Sequence, residues 1–129
     1  MIRTYHKDGT LPNIEHQVFV FGSNQSGIHG AGAAKVAKDY GAVYGIGFGR
    51  QGRTYAIPTK NYVVDTLPLE VIKQFVEAFV DHTKANPRES FFVTRVGCGL
   101  AGYTDAEIAP MFREAINCSF AESWEQYLE

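Results

Sequence analysis

The sequence predicts an α/β sandwich around a largely parallel sheet. Three observations carry the prediction. Strand-like apolar runs alternate with segments of helical period. Two of those runs, Gln17-Val18-Phe19-Val20 and Phe91-Phe92-Val93-Thr94-Arg95-Val96, have the β-branched and aromatic make-up of buried strands. Each run then passes through a glycine-rich loop into a helix: Phe21-Gly22-Ser23-Asn24-Gln25-Ser26-Gly27-Ile28-His29-Gly30-Ala31-Gly32 after the first, and Gly97-Cys98-Gly99-Leu100-Ala101-Gly102-Tyr103 after the second. Such loops leave backbone N–H groups free at the positive end of a helix, where phosphate binds. In a parallel sheet they gather at one crevice. Two of them point to a ligand with two phosphates or a pyrophosphate, and so to a nucleotide site.

The elements follow in order. Met1 to Pro12 reads as a short strand or hairpin with Asp8-Gly9 as its turn. Gln17 to Phe21 is a buried strand. Gly30 to Tyr40 is a helix whose Ala31, Ala33, Ala34 and Ala37 allow close approach to the sheet, with Gly41 as its stop. Tyr44 to Gly52 is a turn or irregular edge, and Thr54 to Pro58 a strand ending at Thr59-Lys60. A helix starts at or just after Pro68, buries Leu69, Ile72, Phe75, Val76, Phe79 and Val80, and ends near Asn86-Pro87. Phe91 to Val96 is the next strand. Thr104-Asp105-Ala106-Glu107 is a capping box opening a last main helix that buries Ile108, Phe112, Ala115 and Ile116. From Cys118 a short strand and a terminal turn with Trp124 are expected.

At 129 residues the chain is one domain, residues 1–129, with 45% hydrophobic and 20% charged residues. A net charge of -2 argues against nucleic-acid wrapping or steering to a membrane surface. No stretch is long and apolar enough for a bilayer span and no signal-peptide core is visible. Two cysteines without a C-x-x-C spacing exclude a disulfide scaffold or zinc knuckle, so a reduced, cytoplasmic setting is expected. The histidines are scattered, and neither a metal nor a cofactor is called for.

Gly47-Phe48-Gly49-Arg50-Gln51-Gly52 satisfies G-x-G-x-x-G, but a strand follows it rather than a helix, so a dinucleotide fingerprint is rejected. Cys98 with His29 is conceivable as nucleophile and base, yet Val96 and Leu100 stand where a nucleophile elbow needs glycines, and a small packed residue is the better reading. Lys60 is either a solvated lysine or a cleft residue acting as phosphate contact or nucleophile. As a nucleophile it needs its pKa lowered by desolvation or a nearby cation, for which Arg95 is a candidate; Arg95 equally suits a phosphate ligand or a structural strand end. Asn24 fits an Asx turn or a ribose contact. Tyr103 is a packed loop aromatic or a surface for ribose or base.

Taken together, these residues resemble the macrodomain superfamily. F-G-S-N-Q-S-G-I-H-G-A-G-A-A resembles its first ligand loop and Gly97–Tyr103 its second phosphate loop. Ile57-Pro58-Thr59-Lys60 and Arg95-Val96-Gly97-Cys98-Gly99, with Asp105, Glu107 and Pro110 after them, resemble the DNA ADP-ribosylglycohydrolase antitoxins and the terminal ADP-ribose glycohydrolase type. Small phage macrodomain-like proteins are similar over most of the chain. The resemblance implies a three-layer α/β/α sandwich with a mixed, mostly parallel sheet, and binding of ADP-ribose or a related NAD-derived nucleotide. It makes Gly30, Ala31, Gly32, Gly97, Cys98, Gly99, Leu100, Ala101, Gly102 and Tyr103 expected pyrophosphate contacts, places Asn24 by the distal ribose, and leaves Ser23, Gln25, His29 and Arg95 as further candidates. It implies Lys60 as the catalytic residue if ADP-ribosyl links on DNA or protein are hydrolysed. Ala101 stands where some relatives carry an acid, and no aspartate for an adenine amine is evident near the first loop. A sequestering or reader module without chemistry is the alternative.

Overall fold

Among the described residues every strand but one runs in the same direction, so one edge of the sheet collects five strand ends. The structure, a computed structural model, describes residues 3–12 and 16–129. Its strands are β1 (Thr4–His6), β2 (Gln17–Asn24), β3 (Gly49–Gln51), β4 (Thr54–Lys60), β5 (Ser90–Val93) and β6 (Cys118–Ala121). Its α-helices are α1 (Gly32–Ala37), α2 (Leu69–Ala85), α3 (Asp105–Ile108) and α4 (Glu125–Leu128). The sheet order is β1-β6-β5-β2-β4-β3, with all pairs parallel except the β3/β4 hairpin.

Alternation along the central strands sorts the core into two layers. Val18 and Val20 of β2, Tyr55 and Ile57 of β4, and Phe91 and Val93 of β5 join one cluster with Ile72, Val76, Phe79, Ile108, Phe112 and Trp124. Phe19 and Phe21, Ala56 and Phe92 face the other way, onto Ala34 and Ala37 of α1. Helices therefore cover both faces, as predicted: a thick layer of α2, α3 and α4, and a thin one of α1. The thin layer works because alanine lets α1 sit close to the sheet.

Several elements depart from the sequence expectations. The first strand is an edge strand parallel to β6, not half of a hairpin, and Asp8-Gly9 turns the chain across the strand ends. Met1 lies outside the described residues. α1 begins at Gly32, because Ala31 is extended (φ -152°), and it ends in a 3-10 turn over Lys38–Tyr40. β5 stops at Val93, since the Thr94 N–H bonds Val20 and the chain then bends into the second loop. The capping box is present, with the Glu107 N–H donating to Thr104 Oγ1 and the Thr104 N–H to Glu107. The helix it opens lasts four residues, however, and continues as a 3-10 turn over Ala109–Phe112. Pro110 has no N–H for the next helical bond. Ile116 is only half-buried. No helix among the described residues is long and apolar enough to cross a membrane.

Candidate functional site

The carboxyl ends of β1, β2, β4, β5 and β6 open onto one cleft of about 690 Å³. Parallel topology puts it there, because loops leaving parallel strands at the same edge enclose a common crevice. Its walls include Gly22, Ser23 and Asn24 from β2, Thr59 and Lys60 from β4, Thr94 and Arg95 after β5, His6 of β1 and Asp8 after it, and Ala121 of β6. Both glycine loops border it, through Ile28 and Gly30–Ala34 of the first and Gly97–Ala101 of the second.

The loops approach each other closely. A β-carbon placed on Gly32 would lie 3.9 Å from the Leu100 side chain. Gly97 has φ +77°, and a β-carbon there would sit 3.1 Å from Ile108 Cδ1, so backbone conformation and core packing both require glycine. Among the described residues, no hydrogen bond occupies the backbone N–H groups of Gly30, Ala31, Gly32, Ala33 and Ala34, nor those of Gly99, Leu100 and Ala101. Two runs of free donors thus border one cleft. The helices behind them are short and Thr104 closes the start of α3, so the donors of the second run belong to the loop rather than to a helix end.

Of the residues singled out in the sequence, Asn24, Gly30, Ala31, Gly32, Gly97, Cys98, Gly99, Leu100, Ala101, Ser23, Arg95 and Lys60 lie on the cleft wall. Gln25, His29, Gly102 and Tyr103 do not. The Tyr103 hydroxyl donates to the Leu67 carbonyl at 2.7 Å and its ring packs on the main core, as a loop aromatic does. His29 is 1% exposed, edge-on to Phe21. Its Nε2–H donates to the Val43 carbonyl at 3.0 Å, while buried Nδ1 has no partner among the described residues. It props the first loop from beneath.

Asn24 makes the Asx-type turn: its carbonyl oxygen accepts from the Ile28 N–H (2.9 Å) and Ser26 Oγ (2.8 Å), and its amide donates to the Ile28 carbonyl (2.7 Å). Ser23 Oγ donates to the Gly47 carbonyl. The Gln25 N–H donates to the Lys60 carbonyl, tying the loop to β4. Gly47–Gly52 runs into the β3/β4 hairpin, as its failed dinucleotide context implies. No side chain among the described residues pairs with the Lys60 ammonium.

Arg95 is committed on two nitrogens, Nε to Asp105 Oδ1 at 2.9 Å and Nη2 to Asp105 Oδ2 at 2.8 Å. Asp105 Oδ1 also accepts the Trp124 indole N–H at 2.7 Å. Burial alone raises the Asp105 carboxyl, but the bonds from Arg95, Trp124 and Cys98 and the Arg95 charge bring it below the usual range. Burial, reinforced by Asp105, pushes the Cys98 thiol up to about 12, and burial does the same to Cys118. A thiol pushed up in this way stays largely protonated near neutral pH, in keeping with a small packed residue rather than a nucleophile. Iodoacetamide at pH 8 is therefore expected to leave both cysteines unlabelled in the native protein and to label both in urea. Rapid native labelling of Cys98 would contradict this.

No local motif marks the far end of the cleft. There His6 stacks on Phe92 (centroids 3.8 Å, 15°) and bonds Ser119 Oγ through Nδ1 at 2.8 Å. Burial lowers the His6 pKa, against a smaller opposing pull from Asp8. Asp8 is the one carboxylate among the described lining residues. No group of three His, Cys, Asp or Glu among the described residues has metal-binding geometry.

DarTG of Thermosipho africanus, solved in complex with ADP-ribose, superposes with TM-score 0.59 at 15% identity over 81% of this chain and 38% of that one. The present chain thus spans well under half of that neighbour's length. A Bacteroides thetaiotaomicron protein described as of unknown function superposes with TM-score 0.64 at 15% identity, over 94% of this chain and 98% of that one. No protein-family model matches the chain, and no curated protein matches it in sequence. The fold is macrodomain-like: an α/β/α sandwich on a mixed, mostly parallel six-stranded sheet.

Proposed function

We propose that the cleft binds ADP-ribose or a related NAD-derived nucleotide, with its pyrophosphate between the two glycine loops. The observation that carries this reading is the pair of free N–H runs, Gly30–Ala34 and Gly99–Ala101, on one cleft. Donors already fixed by the fold need little reorganisation to meet an oxyanion. The structural neighbour that holds ADP-ribose supports the choice of nucleotide. In this reading the distal ribose lies toward Lys60 and the base toward His6, Phe92 and Asp8, whose carboxylate suits an exocyclic amine.

Calorimetric titration with ADP-ribose, with AMP as control, tests the reading. Micromolar affinity, about −8 kcal/mol, with AMP much weaker is the expected result. Gly99 offers a variant that separates binding from folding, because a β-carbon there meets nothing within 4 Å. Gly99→Trp is expected to keep the parent melting temperature and abolish binding by filling the cleft mouth. Parent-like binding by that variant would remove the second loop from the site.

Hydrolysis of an ADP-ribosyl link is the second reading, favoured by the unpaired Lys60 on the cleft wall. Its neutral amine would attack the anomeric carbon as the bond to the modified base or carboxylate breaks and that group leaves with the bonding electrons and a proton, with water then freeing ADP-ribose from the lysine; as an ammonium it would instead stabilise the negative charge developing on the departing group. Lys60→Ala is then expected to abolish release of ADP-ribose from modified DNA or protein while largely sparing ADP-ribose affinity. No turnover by the parent on either substrate points instead to a module that sequesters or reads the nucleotide.

A further inference from the structure

The Arg95–Asp105 pair does more than join two loop stems. Arg95 precedes the second loop and Asp105 follows it, so the fork between them clamps the loop at its base. Exposed ion pairs of this kind contribute little on their own. Here the carboxylate has a third donor, the indole of Trp124, which is 0% exposed and part of the main core. A buried, immobile group thereby fixes Asp105, and Asp105 fixes the plane of the guanidinium. Nε and Nη2 are used; Nη1 has no partner among the described residues. Arg95 lies on the cleft wall and its side chain is 42% exposed. Arg95 follows β5, two strands from β4 and its Lys60 in the sheet order, and leads into the second loop, which carries free N–H groups.

We propose that Arg95 contacts a phosphate oxygen of the bound nucleotide through Nη1, and that Asp105 and Trp124 are positioning residues that hold the guanidinium for that contact. The inference rests on the reading of the cleft as a two-phosphate nucleotide site. An arginine already held on one edge of its fork offers the other edge in a single orientation, and charge-assisted bonds to phosphate are among the stronger hydrogen bonds.

A loop clamp and a phosphate contact predict different things. Arg95→Gln and Asp105→Asn both break the clamp, but only the first removes the positive charge. For the phosphate contact, Arg95→Gln is expected to weaken ADP-ribose binding about tenfold or more, beyond the loss in Asp105→Asn. Its affinity should also fall less steeply with added salt than the parent's, whereas Asp105→Asn keeps the parent's salt dependence. Trp124→Phe, which removes the indole N–H and keeps an aromatic ring, should resemble Asp105→Asn. Should Arg95→Gln not fold, Arg95→Lys serves: it keeps the charge and should retain the parent's salt dependence with reduced affinity. Equal losses in Arg95→Gln and Asp105→Asn with unchanged salt dependence would make the pair a clamp alone and overturn the proposal. So would parent-like binding by Arg95→Gln. Either result leaves the nucleotide reading standing. Failure of the parent itself to bind ADP-ribose or inorganic pyrophosphate overturns that reading and this one with it.

Discussion

Gly47→Ala should cost the protein the shape of its first glycine-rich loop. At Gly47 the segment before β3 crosses the end of β2, and Ser23 Oγ donates to the Gly47 carbonyl. A β-carbon on Gly47 would overlap the Asn24 carbonyl oxygen and lie 2.9 Å from its carbon and 3.0 Å from that of Gln25. All three are backbone atoms, so no side chain can rotate away. The neighbouring crossing is as tight: the Gly45 N–H donates to the Gly27 carbonyl at 3.0 Å, and a β-carbon on Gly27 would sit 2.8 Å from Gly45 Cα. Forcing a methyl group into such a contact costs about 1–3 kcal/mol. Much of that strain falls on Asn24 and Gln25, which shape the loop running to Gly30. The expected result is a lower melting temperature and, for the proposed nucleotide site, an ADP-ribose affinity reduced ten- to hundredfold, read by calorimetry. A variant that binds like the parent would show that the loop does not depend on this crossing.

Phe112→Ala is expected to give the largest loss of stability. The ring is fully buried and meets Phe79 (5.8 Å), Phe120 (5.9 Å) and Trp124 (5.3 Å) between ring centroids. It joins α2 to β6 and the turn that directly follows β6, which lie far from α2 in the chain. Truncating a buried phenylalanine costs about 3–5 kcal/mol, a large share of a domain's net stability. Thermal unfolding should shift down by roughly 10–20 °C. A shift of a degree or two would mean that the surrounding rings collapse into the space. Because Trp124 holds Asp105, the same variant should also loosen the second loop, which a weaker ADP-ribose affinity below the new melting temperature would reveal.

The elements were legible where the signal is local. β2 and β4 follow from β-branched and aromatic runs, α2 from its apolar period after Pro68, and the capping box from four adjacent residues. Helix length was read less well. The apolar spacing from Ile108 to Ala115 has a helical look, but Pro110 and the pull of the core turn it into a 3-10 segment. α1 likewise starts later than its alanines suggest, because the loop keeps Gly30 and Ala31 outside the helix.

For the site, the glycine-rich loops marked where donors would be free, since glycine spacing and a preceding buried strand lie within one short segment. Which side chains share the cleft was another matter. Tyr103 sits in the loop's sequence yet bonds Leu67 away from the cleft, and His29 is drawn beneath its loop by Val43. Asp8 and His6 reach the cleft only because β1 pairs with β6, bringing His6 opposite Ala121 from the other end of the chain.

The chain's own residues thus dictate the alternation of strands and helices, the burial of the central strands, and the two loops with unpaired N–H groups. These depend on periodicity and turn chemistry acting over a few residues. Strand order, the closure of the cleft and the Arg95–Asp105–Trp124 arrangement come from contacts between residues distant in sequence. Only the packed sheet decides those, because pairing energy is gained where the chain meets itself and carries no mark at either residue alone.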